Sequence, residues 1–143
     1  MKLKSFFLSI TELLNAALLS PEKKLAGEWR LFEYYTERDG ELIHVKEGEL
    51  PGIERFIKLE IGDGGRLRWT GNINVPDFDF DAEKLTWERK RNFLTVSEKY
   101  SSGKKVNFQY STENEILKLL NKAETGQINF FGFFKRPERA KNN

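Results

Sequence analysis

Residues 57–70 read Ile-Lys-Leu-Glu-Ile-Gly-Asp-Gly-Gly-Arg-Leu-Arg-Trp-Thr, and the period of this stretch decides the fold. Ile57, Leu59 and Ile61 alternate with Lys58 and Glu60. After Gly62-Asp63-Gly64-Gly65, Leu67 and Trp69 alternate with Arg66, Arg68 and Thr70. Successive side chains of a strand point to opposite faces, so a period of two on either side of a glycine-rich break predicts two antiparallel strands. Each has one apolar face and one polar face.

The same period extends in both directions. Upstream, Trp29 to Thr36 reads as a strand closed by the hairpin signal Arg38-Asp39-Gly40. Ile43 and Val45 then alternate with Leu42, His44 and Lys46 until Gly48 to Gly52. Residues 72–81, with Pro76, are irregular and read as a longer loop. Downstream, Leu85 and Trp87 oppose Lys84, Thr86 and Glu88, and Leu94 and Val96 oppose Thr95 and Ser97. Val106, Phe108 and Tyr110 oppose Asn107 and Gln109. Turns at Ser101 to Lys104, Thr112 to Glu115 and Glu124 to Gly126 lead to the remaining strands, Ile116 to Leu120 and Gln127 to Lys135. The count is about nine strands. No helix-length pattern intervenes, which excludes parallel crossovers. The expected fold is all-β: an antiparallel up-and-down meander barrel of about eight to nine strands.

Composition fits a barrel whose outside is wet. Only 38% of residues are apolar and 32% are charged, in a chain long enough for one core. Lys and Arg number 24 against 22 acidic residues, and the signs are interspersed, as in Glu88-Arg89-Lys90-Arg91 and Arg136-Pro137-Glu138-Arg139. A mixed-charge surface of this kind lacks the stripe that phosphates need, so no nucleic-acid partner is expected. Cys is absent, which rules out disulfides, thiolate metal sites, Cys nucleophiles and a lipid-bearing Cys anchor.

The chain divides into residues 1–24, a barrel over 25–137 and a polar tail at 138–143. In the first part, Leu3, Phe6, Phe7, Ile10, Leu13, Leu14, Ala17 and Leu18 fall on one stripe at helical spacing, and Pro21 follows. This predicts one N-terminal amphipathic helix, with a cleaved leader as the alternative, because Lys2 and Lys4 precede the apolar run. The stretch is too short and polar for a transmembrane segment. Retained, it implies a cytoplasmic protein; cleaved, a periplasmic or secreted one. The last strand, Ile128 to Phe134, is apolar on both faces and needs cover on both. The helix is expected over Phe131 and Phe133 or in the adjoining barrel end, with a homodimer through Phe131/Phe133 or the helix as the rival.

The candidate ligand-binding residues are the expected inward ones: Trp29, Leu31, Tyr35, Ile57, Trp69 and Trp87, with Phe108, Tyr110 and Phe130 from the second half. Leu67 and Leu85 share their parity. They suit a flat or elongated apolar molecule, or else fill the core themselves. Asp77, Asp79, Asp81 and Glu83 alternate around Phe78 and Phe80, but without the glycine and ligand order of a calcium loop, so no metal site is expected. His44 falls on the outward parity and reads as a surface histidine. No Gly-x-Ser-x-Gly or phosphate loop is present, and no cofactor is expected.

Gly27-Glu28-Trp29 at the head of the first strand resembles the Gly-x-Trp signature of the lipocalins and their fatty-acid-binding relatives. That resemblance implies that Trp29 closes one barrel end with Arg136 packed across its ring, and that Gly27 belongs to the same closure. A fuller resemblance, over about residues 25–137, is to the bacterial lipocalin-like domain family. Leu25-Ala26-Gly27-Glu28-Trp29-Arg30-Leu31 is similar to its opening. Leu85-Thr86-Trp87-Glu88 with Phe93-Leu94-Thr95-Val96 is similar to its central hairpin. Ser111 to Leu119 with Phe133-Phe134-Lys135-Arg136 is similar to its closing pair. The family has no agreed ligand. The expected function is non-enzymatic binding of a small hydrophobic ligand inside the barrel. The alternatives are an interaction or structural module with a filled core, and an acid–base enzyme using a carboxylate such as Glu33 placed inward.

Overall fold

A computed structural model of the chain describes residues 25–49, 55–76, 78, 85–98 and 105–137. The expected N-terminal helix, the acidic positions Asp77, Asp79, Asp81 and Glu83, and the polar tail lie outside the described residues. The described chain is all-β. Nine strands run β1 (Gly27–Arg38), β2 (Glu41–Val45), β3 (Ile57–Ile61), β4 (Arg66–Gly71), β5 (Leu85–Lys90), β6 (Phe93–Glu98), β7 (Lys105–Glu113), β8 (Ile116–Lys122) and β9 (Ile128–Lys135).

Every pairing is antiparallel, and β1 also pairs with β9, so eight strands close into a barrel with β2 as the extra one. The meander departs from a simple hairpin succession at β2. Tyr34 and Tyr35 pair with β2 and with β9, whereas Arg30 pairs with β3 and with β9. A strand has two edges, so β2 and β3 share one edge of β1, end to end. They do not pair with each other, and residues 46–56 make an excursion between them.

Alternation holds on most strands. In β3 Ile57, Leu59 and Ile61 are buried, and in β4 Leu67 and Trp69 are, as the period of residues 57–70 predicts. In β1 it breaks. The β1–β9 register shifts between Leu31 and Glu33: Leu31 faces Phe134, but Glu33 faces Phe133. This bulge places Phe32 and Glu33 both outside and reverses the parity of everything after them. Tyr34 and Thr36 are therefore buried, while Tyr35, expected inside, stacks on the outer face. The same shift corrects the inward Glu33.

The two barrel ends differ. Where β3, β5 and β7 finish, the chain returns through tight turns at 62–65, 91–92 and 114–115. Asn114 and Glu115 both hold positive φ, at 53° and 63°, the mirror-image turn that matches strand twist. At the opposite end lie the long connections, 46–56, 72–84 and 99–104. By the length of their connections, the first is called the closed end and the second the open end. Near the open end a second irregularity, between Asn121 and Lys122, leaves backbone groups that side chains satisfy. Thr36 Oγ1 donates to the Asn129 carbonyl at 2.8 Å, Asn129 Nδ2 to Asn121 Oδ1 at 2.8 Å, and Asn121 Nδ2 to the Asn107 carbonyl at 3.0 Å.

Candidate functional site

The closed end is built around Trp29. Its indole Nε1 donates to the Leu25 carbonyl at 2.9 Å, which draws Leu25 into the core at 1% exposure. The Arg136 guanidinium lies 4.1 Å from the Trp29 ring centroid, a cation–π contact across the β1–β9 seam. Its Nη1 donates to the Ala26 carbonyl at 2.8 Å, and its Nε lies 3.4 Å from Glu115 Oε2. Gly27 makes this approach possible: its φ is +117°, and a β-carbon there would stand 2.6 Å from Arg136 Nη1. Gly27→Ala combines a left-handed conformation with loss of that seat. It is expected to lower stability by about 1–3 kcal/mol, read by urea unfolding; an unchanged midpoint would show that Arg136 relocates at no cost.

Inside, the sequence-predicted residues are brought together except for Tyr35. Leu31, Ile57, Trp69, Phe108 and Phe130 are buried, and Trp87 donates to the Gly62 carbonyl at 3.3 Å near the closed end. Tyr110 is half-buried, its hydroxyl accepting from Arg89 Nη1 at 3.4 Å. Trp69 is the hub. Its ring lies 5.9 Å from Phe108, 6.2 Å from Phe130 and 6.3 Å from Phe134, contacts that join β4 to β7 and β9 across the barrel. The deep interior is occupied by the chain's own rings.

Several lining residues of the open end are only partly buried. Phe78 comes from the β4–β5 connection, is half-buried, and lies 4.3 Å from Trp69 and 6.1 Å from Phe108. Val45 and Ile73 are likewise partly buried against the core. Beside them Tyr34 stacks on Phe130 at 5.7 Å, and its hydroxyl accepts a bond from Arg55 Nη2 at 2.9 Å. Tyr34, Phe78 and Arg55 are the residues that sequence reasoning missed. The Tyr34-Tyr35 tandem offers no cue to which ring turns inward, and the tyrosine–arginine contact joins positions 21 apart.

On the outer face, His44 keeps its outward parity but is no ordinary surface histidine. Its Nε2 lies 2.7 Å from Glu33 Oε2, and its ring stacks on Tyr35 at 4.1 Å and 6°. Phe131 and Phe133 flank Tyr35, each 6.1 Å away, and Lys118 Nζ sits 5.8 Å from the Phe133 ring. Among the described residues, Glu33 is the one side chain hydrogen-bonded to the His44 ring. Among the described residues, no group of three or more His, Cys, Asp and Glu gathers to hold a metal ion. No described helix is long and apolar enough to cross a membrane.

The closed antiparallel barrel is compatible with a lipocalin- or calycin-like fold. Searches of family models, curated proteins and solved structures find no match to this chain.

Proposed function

We propose that the protein is a lipocalin-like, non-enzymatic binding protein that takes a small hydrophobic ligand at the open end of the barrel, above the filled interior. One observation carries this reading. Phe78, supplied by a connection rather than a strand, covers Trp69 at 4.3 Å while staying half-buried. A ring so placed is a cover that a flat apolar molecule replaces by stacking on the same indole face. The deeper rings meet one another across the barrel, so the site is shallow and favours a compact ligand.

The test uses phenylnaphthylamine, an uncharged dye that brightens in apolar surroundings. Wild-type protein is expected to bind it saturably at one site, and Phe78→Ala to bind it about tenfold tighter. The reason is that displacing a half-buried phenyl ring costs about 1–1.5 kcal/mol. Absence of saturable binding by both proteins overturns the reading. A second reading has its own observation: Phe131 and Phe133 keep β9 apolar on its outer face. It makes the barrel an interaction module, and Phe131→Ser with Phe133→Ser would then convert a dimer to monomer in sedimentation analysis. A wild-type monomer excludes the homodimer form.

A further inference from the structure

At the open end the Arg55 guanidinium and the Tyr34 hydroxyl each keep donor hydrogens beyond the one bond that joins them. Arg55 Nη2 donates to the Tyr34 hydroxyl at 2.9 Å, and this is the one polar contact of the Arg55 side chain among the described residues. Two other guanidinium groups of the barrel are satisfied by acceptors of their own. Arg30 reaches Glu28 at 2.7 Å, and Arg136 has the Ala26 carbonyl and Glu115. A phenol that accepts a hydrogen bond keeps its own proton to donate. Tyr34 is 6% exposed, with its ring fixed against Phe130, so its hydroxyl oxygen is held in place.

Arg55 is exposed, but the backbone beside it is anchored. Phe56 N donates to Asn72 Oδ1 at 2.9 Å, and Asn72 N to the Phe56 carbonyl at 3.1 Å. These two bonds tie the approach to β3 to the end of β4, one residue before Ile73. Val45 faces Tyr34 directly across the β1–β2 pair. The guanidinium and phenol therefore share the open end with Val45, Ile73 and Phe78, the partly buried apolar residues of that end.

We propose that Arg55 and Tyr34 recognise the carboxylate of a small aryl- or alkyl-carboxylic acid whose apolar body lies at the Phe78 cover. The charge count selects a monoanion: one guanidinium offers a planar fork that fits a carboxylate, and the hydroxyl adds one neutral donor. A phosphate dianion would leave one charge without a cation. The shallow open end sets the size of the body. The bland reading, a surface arginine resting on a tyrosine, predicts no preference between a charged ligand and its neutral counterpart.

This inference rests on the open-end reading, and the experiment separates the two. Binding of phenylbutyrate and of phenylbutanol is measured by calorimetry on the full chain, as wild type, Arg55→Met and Tyr34→Phe. Wild type is expected to prefer the carboxylate about tenfold, as a charge-assisted bond implies. Arg55→Met is expected to bring the two compounds to equal affinity, with the carboxylate losing most, and Tyr34→Phe to reduce the preference a few-fold. Equal affinity for both compounds in wild type, or a preference that survives Arg55→Met, overturns the carboxylate proposal and leaves the open-end site standing. If neither compound nor phenylnaphthylamine binds, the open-end reading itself fails. Arg55 is exposed, so its loss leaves the fold intact, and thermal unfolding of each variant checks this.

Discussion

Trp69→Ala is expected to destabilise the barrel by about 3–5 kcal/mol, the largest effect of any single truncation in the core. The residue is 6% exposed, pairs with Leu59 in β3, and touches rings from β7, from β9 and from the β4–β5 connection. Removing an indole from such a place deletes its transfer energy and leaves a void. The void persists because the surrounding rings stand on strands whose spacing is set by a closed hydrogen-bonded ring, so they cannot move inward together. Urea unfolding followed by circular dichroism reads the change. The magnitude also decides how full the interior is. Around a hollow centre, one face of Trp69 would be bare, and its loss would approach the transfer term alone, about 1.5–3 kcal/mol. A loss in that lower range would contradict the filled interior.

How far the sequence announces this architecture depends on the strand. Where both partners keep strict alternation, as Ile57, Leu59 and Ile61 do against Leu67 and Trp69, each inward residue follows from local chemistry, and the structure buries them all. The bulge at Leu31 to Glu33 has no local marker. Phe32 and Glu33 are an ordinary apolar–polar pair, and only the register against β9 turns both outward. Everything that depends on that register, including the exchange of Tyr35 for Tyr34, is a property of two strands about a hundred residues apart. The sharing of one β1 edge by β2 and β3 is hidden for a related reason. Residues 46–56 look like any turn-rich connection, and nothing in them states which strand follows beside which. The open end suffers most, because the Arg55–Tyr34 contact and the tilted ring contact of Phe78 with Trp69 arise only after the barrel closes.

The second large effect tests the packing of the seam strand. Gly132 lies on the inner face of β9, opposite Leu119 and Tyr34. A β-carbon there would stand 2.3 Å from Phe130 Cζ, 2.5 Å from Phe130 Cε2 and 3.0 Å from Leu31 Cδ1. The Phe130 ring covers the bare backbone of Gly132, a way of filling the space a strand glycine leaves. Two opposed terms follow from Gly132→Ala. Alanine narrows the unfolded ensemble and favours folding by about 0.4–1 kcal/mol. Overpacking costs about 1–3 kcal/mol, and here the displaced ring has nowhere to go, since it meets Tyr34 at 5.7 Å, Trp69 at 6.2 Å and Phe134 at 6.3 Å. The clash wins, and a net loss of about 1–2 kcal/mol is expected from these two ranges. A double-mutant cycle isolates the cause. In a Phe130→Ala background the same glycine substitution loses its two closest clashes and keeps only Leu31 Cδ1 at 3.0 Å, so most of its penalty should disappear and the cycle should show a coupling of about 1 kcal/mol or more. Additive losses would mean that the strain lies with Leu31 or the backbone, and that the Phe130 ring is free to leave its seat over the glycine.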